Sequence, residues 1–272
     1  GDVLAYSGSD AGVVSAYAAS TGVLSLSGSI AVSAWQTALR AVTYSSSSED
    51  PTGTQSASDR VVSFVISDGD VSSAAVDRTV TVTPVNDVPV LADVEAGALA
   101  YTENDAATVV SATITVSDLD TTTDTSLDSA TVTIGSGLMS GDVLAYPASG
   151  TGITAAYVAG TGVLSLSGSV SQAVWQTALR AVTFSSSVED PTGTQSASDR
   201  VVSFVVSDGD ASSTAVTRTV NVSPVNDVPV LADVEAASLA YTENDAATVV
   251  SATITVSDVD TLTDAHLDSA TV

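Results

Sequence analysis

The sequence repeats itself after 140 residues. The hexapeptide Gly-Asp-Val-Leu-Ala-Tyr that begins at Gly1 returns at Gly141, and Trp35 returns as Trp175. About four in five of the comparable positions are identical, and no insertion interrupts the offset. Identity this high between neighbouring units is typical of a recently duplicated tandem array. The fold must therefore be one unit built nearly twice, and we expect the sequence to be an excerpt of a longer array.

The segment Pro-Val-Asn-Asp-Val-Pro marks the phase of the repeat. It stands at 84–89 and again at 224–229. Two prolines around Asn-Asp cannot continue a central strand and are typical of a stiff linker. This punctuation predicts the C-terminal part of one module at 1–86 without its first strands, a complete module at 89–226, and the N-terminal part of a third at 229–272.

Apolar and polar residues alternate along two stretches of the complete module, 111–117 and 129–134. This period of two is typical of strands with one buried face. Further strands are predicted between clusters of Gly, Ser, Asp and Thr at 142–146, 152–157, 162–166, 181–184, 200–206 and 215–222. The spacing favours an all-β fold of tandem antiparallel β-sandwich modules.

One segment of each module departs from the strand pattern. Trp175 and Leu179 lie at helical spacing after the candidate caps Ser169 and Ser171, which predicts a short helix over 172–180. Because the module has few other large side chains, we expect Trp175 to fill the core and not to form a ligand platform.

The composition excludes several functions. The net charge is −26, which makes nucleic acid a poor partner. The chain has no cysteine and no lysine, so disulfides, thiolate zinc sites, thiol catalysis and Schiff bases are excluded. His266 is the single histidine, the many serines have no evident histidine partner, and the clustered acids lie at linkers, so we expect no enzymatic activity. The sequence has no apolar run long enough to span a bilayer, which predicts no membrane insertion in this segment.

Acidic residues gather where strands are predicted to end. Crowded carboxylates repel one another unless a cation lies among them, and an oxygen-only site suits Ca²⁺. Each motif alone is also an ordinary turn or loop start, so their order along the chain matters more than any one of them. The groups in the complete module and its two linkers are Asn86-Asp87, Glu103-Asn104-Asp105, Asp118-x-Asp120, Glu189-Asp190, Asp208-Gly209-Asp210 and Asn226-Asp227.

The succession Tyr-Thr-Glu-Asn, Asp-x-Asp, Glu-Asp, Ser-Asp-Gly and Val-Asn-Asp-Val-Pro resembles the calcium-binding order of cadherin repeats. It is closer still to the cadherin-like tandem modules of giant secreted bacterial adhesins, including those of the RTX type. The resemblance covers essentially the whole chain, and its most specific element is the Asn-Asp-x-Pro linker. It implies a cadherin-like or immunoglobulin-like Greek key with one short helix per module, and Ca²⁺ at each junction between modules.

The resemblance also implies the ligands. At the first junction they are Glu49, Asp50, Asn86, Asp87, Asp118, Asp120 and Asp208. At the second they are Glu103, Glu189, Asp190, Asn226, Asp227, Asp258 and Asp260. The linker lacks the additional acidic and amide residues that cadherin linkers usually carry, because Pro84 and Val88 stand in their places. We therefore expect one or two ions at each junction.

The function implied is a calcium-rigidified spacer or stalk of a bacterial surface adhesin, extracellular and either attached to the cell or secreted. Its partners would be calcium and the adjoining repeats of the same chain. A structural fibre or matrix protein whose modules contact other copies is the main alternative. Carbohydrate binding is a third, although the tyrosines are explained more simply as core or edge residues.

Overall fold

The structure is a computed structural model that describes residues 1–54, 56–120, 126–147, 149–194, 196–260 and 266–272. The described residues form two compact units. The first unit comprises Gly1–Asp87 and the loop at 118–120. The second comprises Val88–Ser117 and the described residues from Ser126 to Val272. Neither of the helices described below is long and apolar enough to cross a membrane.

The first unit consists of three antiparallel strand pairs and one helix. The pairs are β1 with β4, β2 with β3, and β5 with β6. The elements are β1 (Asp2–Tyr6), β2 (Val14–Ala18), β3 (Val23–Ser27), α1 (Val32–Arg40), β4 (Val42–Ser46), β5 (Ser58–Phe64) and β6 (Val76–Val82).

The second unit contains every remaining strand and the second helix. Its elements are β7 (Val90–Ala92), β8 (Leu99–Thr102), β9 (Thr108–Val109), β10 (Thr115–Ser117), β11 (Ser126–Ser136), β12 (Asp142–Ala145), β13 (Thr154–Val158), β14 (Val163–Ser171), α2 (Gln172–Arg180), β15 (Thr183–Ser186), β16 (Ser198–Ser207), β17 (Val216–Ser223), β18 (Val230–Ala232) and β19 (Thr255–Ser257).

Two sheets of the second unit enclose its core. The larger has the order β13-β14-β11-β16-β17-β8, and the smaller has the order β12-β15-β9. All these pairs are antiparallel except β17 with β8. Val132 on the larger sheet and Phe184 on the smaller are both fully buried in one apolar cluster. The predicted all-β sandwich is confirmed.

The period-two pattern is confirmed in one of the two alternating stretches. In β11 the apolar residues Ala130, Val132 and Ile134 are buried, as predicted. The prediction of a single strand over 111–117 is wrong. Within that stretch only Thr115–Ser117 pairs with another strand, and its partner is β7. The first residues of the stretch 111–117 are hydrogen-bonded to a side chain and not to a neighbouring strand.

That side chain is Glu95. Its carboxylate accepts hydrogen bonds from Ser111 Oγ at 2.6 Å and from Ala112 N at 2.9 Å. Arg218 Nη1 lies 3.3 Å from Glu95 Oε2. Desolvation raises the pKa of Glu95, but these hydrogen bonds and the guanidinium outweigh it and lower the pKa to about 2. A local carboxylate therefore satisfies backbone and side-chain donors that a strand would have paired elsewhere.

We expect Glu95→Gln to destabilise the second unit by about 1 to 2 kcal/mol at neutral pH. Because the folded pKa lies below the usual value of 4.5, the stabilisation is complete above pH 4.5 and is lost as the pH falls towards 2. Urea unfolding of both proteins between pH 7 and pH 2 measures this difference. Glu235 is the control, since it binds Ser251 and Ala252 in the same way but no arginine is paired with it among the described residues. An equal loss from Glu235→Gln would show that the ion pair contributes nothing.

The helix prediction is confirmed, since α2 occupies Gln172–Arg180. Ser171 is the N-cap, but its side chain makes no capping hydrogen bond. Strand β14 runs up to Ser171, so the helix begins directly at the end of a strand. Trp175 is fully buried and its Nε1 donates to Leu127 O at 2.6 Å, which confirms it as a core residue.

Candidate metal centre

Strand β8 carries Glu103 to one end of the second unit. Tyr101 anchors this strand, because its ring packs edge-on against Phe184 with the centroids 5.1 Å apart. Glu103 N then donates to Ser223 O at 2.9 Å, at the end of β17. Glu103 Oε2 accepts from Val225 N at 2.8 Å. The glutamate is thus fixed where β17 enters the Asn-Asp linker.

Asn104 follows Glu103 and turns the chain. Its backbone has a φ of 65°, in the left-handed region that asparagine tolerates better than most residues. Asn104 Nδ2 donates to Glu189 Oε2 at 3.1 Å. Glu103 therefore supplies one carboxylate, and Asn104 orients a second, that of Glu189, which lies 85 residues away in sequence.

A buried arginine positions the loop that carries Glu189 and Asp190. Arg200 is fully buried and forms an ion pair with Asp142 at 2.7 Å. Its Nη2 also donates to Pro191 O at 2.5 Å. Asp190 Oδ1 accepts from Gly193 N at 2.8 Å, which closes the turn. Arg200 thus ties this acidic loop to the buried core.

The linker brings further carboxylates. Asp227 N donates to Asp260 Oδ2 at 2.6 Å, and Asn226 Nδ2 donates to Asp227 O at 2.6 Å. Asp260 N donates in turn to Asp258 Oδ1 at 3.1 Å. The antiparallel pair β18 and β19 brings the Asp-x-Asp loop back to the linker. Residues on both sides of the linker therefore meet within the second unit.

Three of these residues converge on one point. Glu103, Glu189 and Asp227 each present one carboxylate oxygen, and the three oxygens lie within 4.8 Å of one another. Glu103 is only 4% exposed. Four buried carboxylate oxygens at this end of the unit have no hydrogen-bond partner among the described residues. They are Glu103 Oε1, Asp190 Oδ2, Asp227 Oδ2 and Asp260 Oδ1.

The electrostatics of the cluster are unfavourable without a cation. Desolvation raises the pKa of Glu103, and repulsion from Asp227, Asp260 and Glu189 raises it further, while the bond from Val225 N lowers it. Desolvation also raises the pKa of Asp227, together with repulsion from Asp260, Glu189 and Asp258. Buried carboxylate oxygens are normally hydrogen-bonded or coordinate a metal. Their number, burial and chemistry fit a hard divalent cation that prefers oxygen ligands.

The structure places the other predicted ligands of the second junction less centrally. Asn226 is exposed and uses its amide nitrogen on its neighbour. Asp258 is half-buried and accepts from Asp260 N. Asp190 offers the unpartnered oxygen described above. The residues that could hold a cation most directly are Glu103, Glu189 and Asp227, with Asp190 and Asp260 beside them.

At the first predicted junction, the linker and its Asp-x-Asp loop make the same hydrogen bonds within the first unit. Asp87 N donates to Asp120 Oδ2 at 2.5 Å, and Asn86 Nδ2 donates to Asp87 O at 2.7 Å. Asp120 N donates to Asp118 Oδ1 at 3.2 Å. Among the described residues, however, three converging carboxylates occur only at the second junction.

The remaining predicted ligands of the first junction lie in turns. Glu49 is exposed, and Asp50 Oδ1 accepts from Gly53 N at 2.8 Å, as Asp190 does from Gly193. Asp208 belongs to the second unit. Its Oδ1 accepts from Asp210 N at 2.8 Å and from Ala211 N at 2.7 Å, which makes it the cap of its own hairpin turn.

The sequence interpretation did not identify two contributors. Arg200 fixes the acidic loop through Pro191, and Asn104 orients Glu189. The asparagine was visible in the Glu-Asn motif, but its partner lies 85 residues away. No signal in the sequence indicates that Arg200 would be buried at the core and directed towards Pro191.

No protein-family model and no curated protein matches the sequence. Among solved structures, the chain is similar to the crystal structure of the protocadherin gamma B4 extracellular domain, with 12% identity and a TM-score of 0.28 over 94% of this chain and 32% of that one. It is also similar to protocadherin gamma B2 extracellular cadherin domains 3–6, with 16% identity and a TM-score of 0.26 over 94% of this chain and 48% of that one. The chain thus spans about a third to a half of these structures. The sandwich is established by the strand pairing of the chain itself.

Proposed function

We propose that this chain is a calcium-rigidified extracellular repeat segment that acts as a spacer or stalk of a bacterial surface adhesin. One observation carries the proposal. Glu103 and Glu189 from the complete module meet Asp227 of the linker, and their ligand atoms lie within 4.8 Å. Asp260, which lies beyond the linker, hydrogen-bonds Asp227. A cation held by these groups would join the end of one module to the next.

The physical role of the cation follows from the charges. The chain carries a net charge of −26, and burial together with repulsion from neighbouring carboxylates raises the pKa values of Glu103 and Asp227. Ca²⁺ accepts six to eight oxygen ligands in a flexible geometry, so it can bind carboxylates from several loops at once. Binding would replace repulsion across the linker with attraction, and the linker prolines would limit the remaining bending.

The repetition supports a mechanical role. Modules that agree at about four in five positions supply uniform geometry, which a stalk needs, and they leave little room for individual binding sites. The assignment to bacterial adhesins of the RTX type rests on the order of the acidic motifs. Extracellular localisation follows from the same assignment, since calcium sites of extracellular modules bind at the high calcium concentrations found outside cells.

Small-angle X-ray scattering of the chain in calcium and in chelator tests this role. We expect a broad distribution of shapes in chelator and a narrow, rod-like distribution in millimolar Ca²⁺, with each module adding roughly 35 to 45 Å along the rod. Measurements should be made at concentrations where light scattering shows a single copy, and Mg²⁺ serves as the control ion. Identical scattering with and without Ca²⁺ would contradict the spacer.

A self-assembling fibre remains the second candidate because of one specific observation. Strand β13 lies at the edge of the larger sheet of the second unit, and its Val158 is 54% exposed. Such surfaces favour contacts between copies. Ordered lateral assemblies that form without calcium would support the fibre over the spacer.

A further inference from the structure

A buried tyrosine hydroxyl joins the two turns that carry Glu103 and Glu189. Tyr101 is only 1% exposed. Its Oη donates to Asp105 O at 2.9 Å and accepts from Ser186 N at 3.0 Å. Asp105 lies in the turn that begins at Glu103, and Ser186 is the last residue of β15, three residues before Glu189. One hydroxyl therefore connects two acidic segments that are far apart in sequence.

The first of these turns forms from its own sequence. Thr102 N donates to Asp105 Oδ2 at 2.9 Å, and Asp105 N donates to Thr102 O at 2.9 Å. The repeat of this segment makes the same turn, and there Tyr241 Oη donates to Asp245 O at 2.8 Å. The bond from the tyrosine hydroxyl into the turn is thus local. The bond from Ser186 is what connects this turn to the second acidic segment.

The smaller sheet leaves a place for the hydroxyl beside β15. Strand β9 pairs with β15 at Thr183 and Phe184. Ser186 lies two residues further along β15, and its N donates to the tyrosine instead of to β9. Without the hydroxyl, this amide and the carbonyl of Asp105 would each lose a hydrogen-bond partner. Tyr101 therefore takes the place of a strand neighbour where β15 leads into the acidic loop.

The two turns need such a connection because both carry carboxylates. Glu103 and Glu189 each present an oxygen to the same point, together with Asp227. Like charges this close repel one another, which pushes the turns apart in the metal-free chain. Asn104 also connects them through its bond to Glu189, but that bond is exposed to water. A buried connection that keeps the turns close before the cation arrives reduces the cost of ordering them on binding.

We propose that Tyr101 is a positioning residue of the candidate calcium site. Its hydroxyl holds the turn of Glu103 and the loop of Glu189 together in the metal-free chain, so that both carboxylates are already close when Ca²⁺ binds. Tyr101 acts through these two segments, since its hydroxyl is used on Asp105 and Ser186. This inference rests on the proposed calcium function and adds a residue that sets the affinity of the site.

Titration of Ca²⁺ into the full 272-residue chain, beside Tyr101→Phe, tests this role. Phenylalanine keeps the edge-on contact with Phe184 and removes only the hydroxyl. We expect the dissociation constant to rise by roughly three- to tenfold, because partners that orient metal ligands typically contribute tenfold or more and Tyr101 acts one bond further away. Tyr146→Phe is the matched control. Tyr146 also packs against the core, and its hydroxyl is bonded at 2.8 Å to Thr151, which is not a predicted ligand.

A double variant separates positioning from a general loss of packing. Glu189→Gln removes the carboxylate that the hydroxyl is proposed to position. In this background, Tyr101→Phe should weaken Ca²⁺ binding much less than it does in the wild-type chain, because residues that act through one another are not additive. Equal fold-changes in the two backgrounds would overturn the proposal.

Amide hydrogen exchange in chelator gives a readout without calcium. In Tyr101→Phe we expect faster exchange at Ser186 N and at Val225 N, which donates to Glu103 Oε2, and no change at either amide in Tyr146→Phe. Unchanged exchange at both amides, or equal Ca²⁺ affinities of Tyr101→Phe and the wild-type chain, would overturn the positioning role alone. Absence of saturable binding by the wild-type chain would overturn the calcium function as well, so the two failures are distinguishable.

Discussion

Removal of Ca²⁺ is expected to lower the melting temperature of the second unit. The cluster of Glu103, Glu189 and Asp227 exists only in the folded state, so an ion bound there stabilises that state alone. At a free calcium concentration of about a thousand times the dissociation constant, the gain is about 4 kcal/mol. Differential scanning calorimetry in millimolar CaCl₂ and in EGTA measures the shift.

The control for this experiment is Mg²⁺ at the same concentration. Mg²⁺ demands a small octahedral site and gives up its water reluctantly, so its effect should be much smaller. If the melting curves in calcium and in chelator coincide, the carboxylate cluster does not bind the ion.

Glu103→Gln is expected to have opposite effects with and without calcium. In chelator it removes a buried charge that repels Asp227, Asp260 and Glu189, so the free energy of unfolding should rise by about 1 kcal/mol. In calcium it replaces a carboxylate ligand with an amide, and the affinity should fall by about tenfold or more, which corresponds to about 1.4 kcal/mol. Calorimetric melting of the wild-type chain and of Glu103→Gln in the two buffers detects this change in the sign of the stability difference.

Asp199→Asn is the matched control for charge. Asp199 lies on β16, is exposed, accepts from Asn221 Nδ2 at 2.7 Å, and is not one of the three converging carboxylates. This change also removes one negative charge, but it should leave the calcium-dependent shift unchanged. Loss of stability from Glu103→Gln in both buffers would mean that Glu103 serves only as an anchor for Val225.

Local sequence patterns predicted those parts of the fold that local forces decide. The helical spacing of Trp175 and Leu179 located α2, and the alternation around Val132 located β11. The pattern failed at 111–114 because Glu95, which lies outside that stretch, satisfies Ser111 and Ala112. A side chain that competes for backbone donors leaves no trace in the period of the strand itself.

The candidate site was predictable as a set of motifs but not as a geometry. The order of acidic groups indicated that Glu103, Glu189 and Asp227 belong together. Which oxygens lack a partner depends on contacts across long distances in sequence, such as Val225 N with Glu103 Oε2 over 122 residues. For Asp208, the ordinary hairpin turn competes with ligation, and its carboxylate caps that turn.

Isothermal titration of Ca²⁺ into the metal-free chain, beside Glu103→Gln and Asp199→Asn, tests the carboxylate junction most directly. The geometry predicts saturable binding to the wild-type chain, clearly weaker binding to Glu103→Gln, and unchanged binding to Asp199→Asn. The absence of saturable heat from the wild-type chain, or equal affinities for all three proteins, would contradict a calcium site formed by Glu103, Glu189 and Asp227.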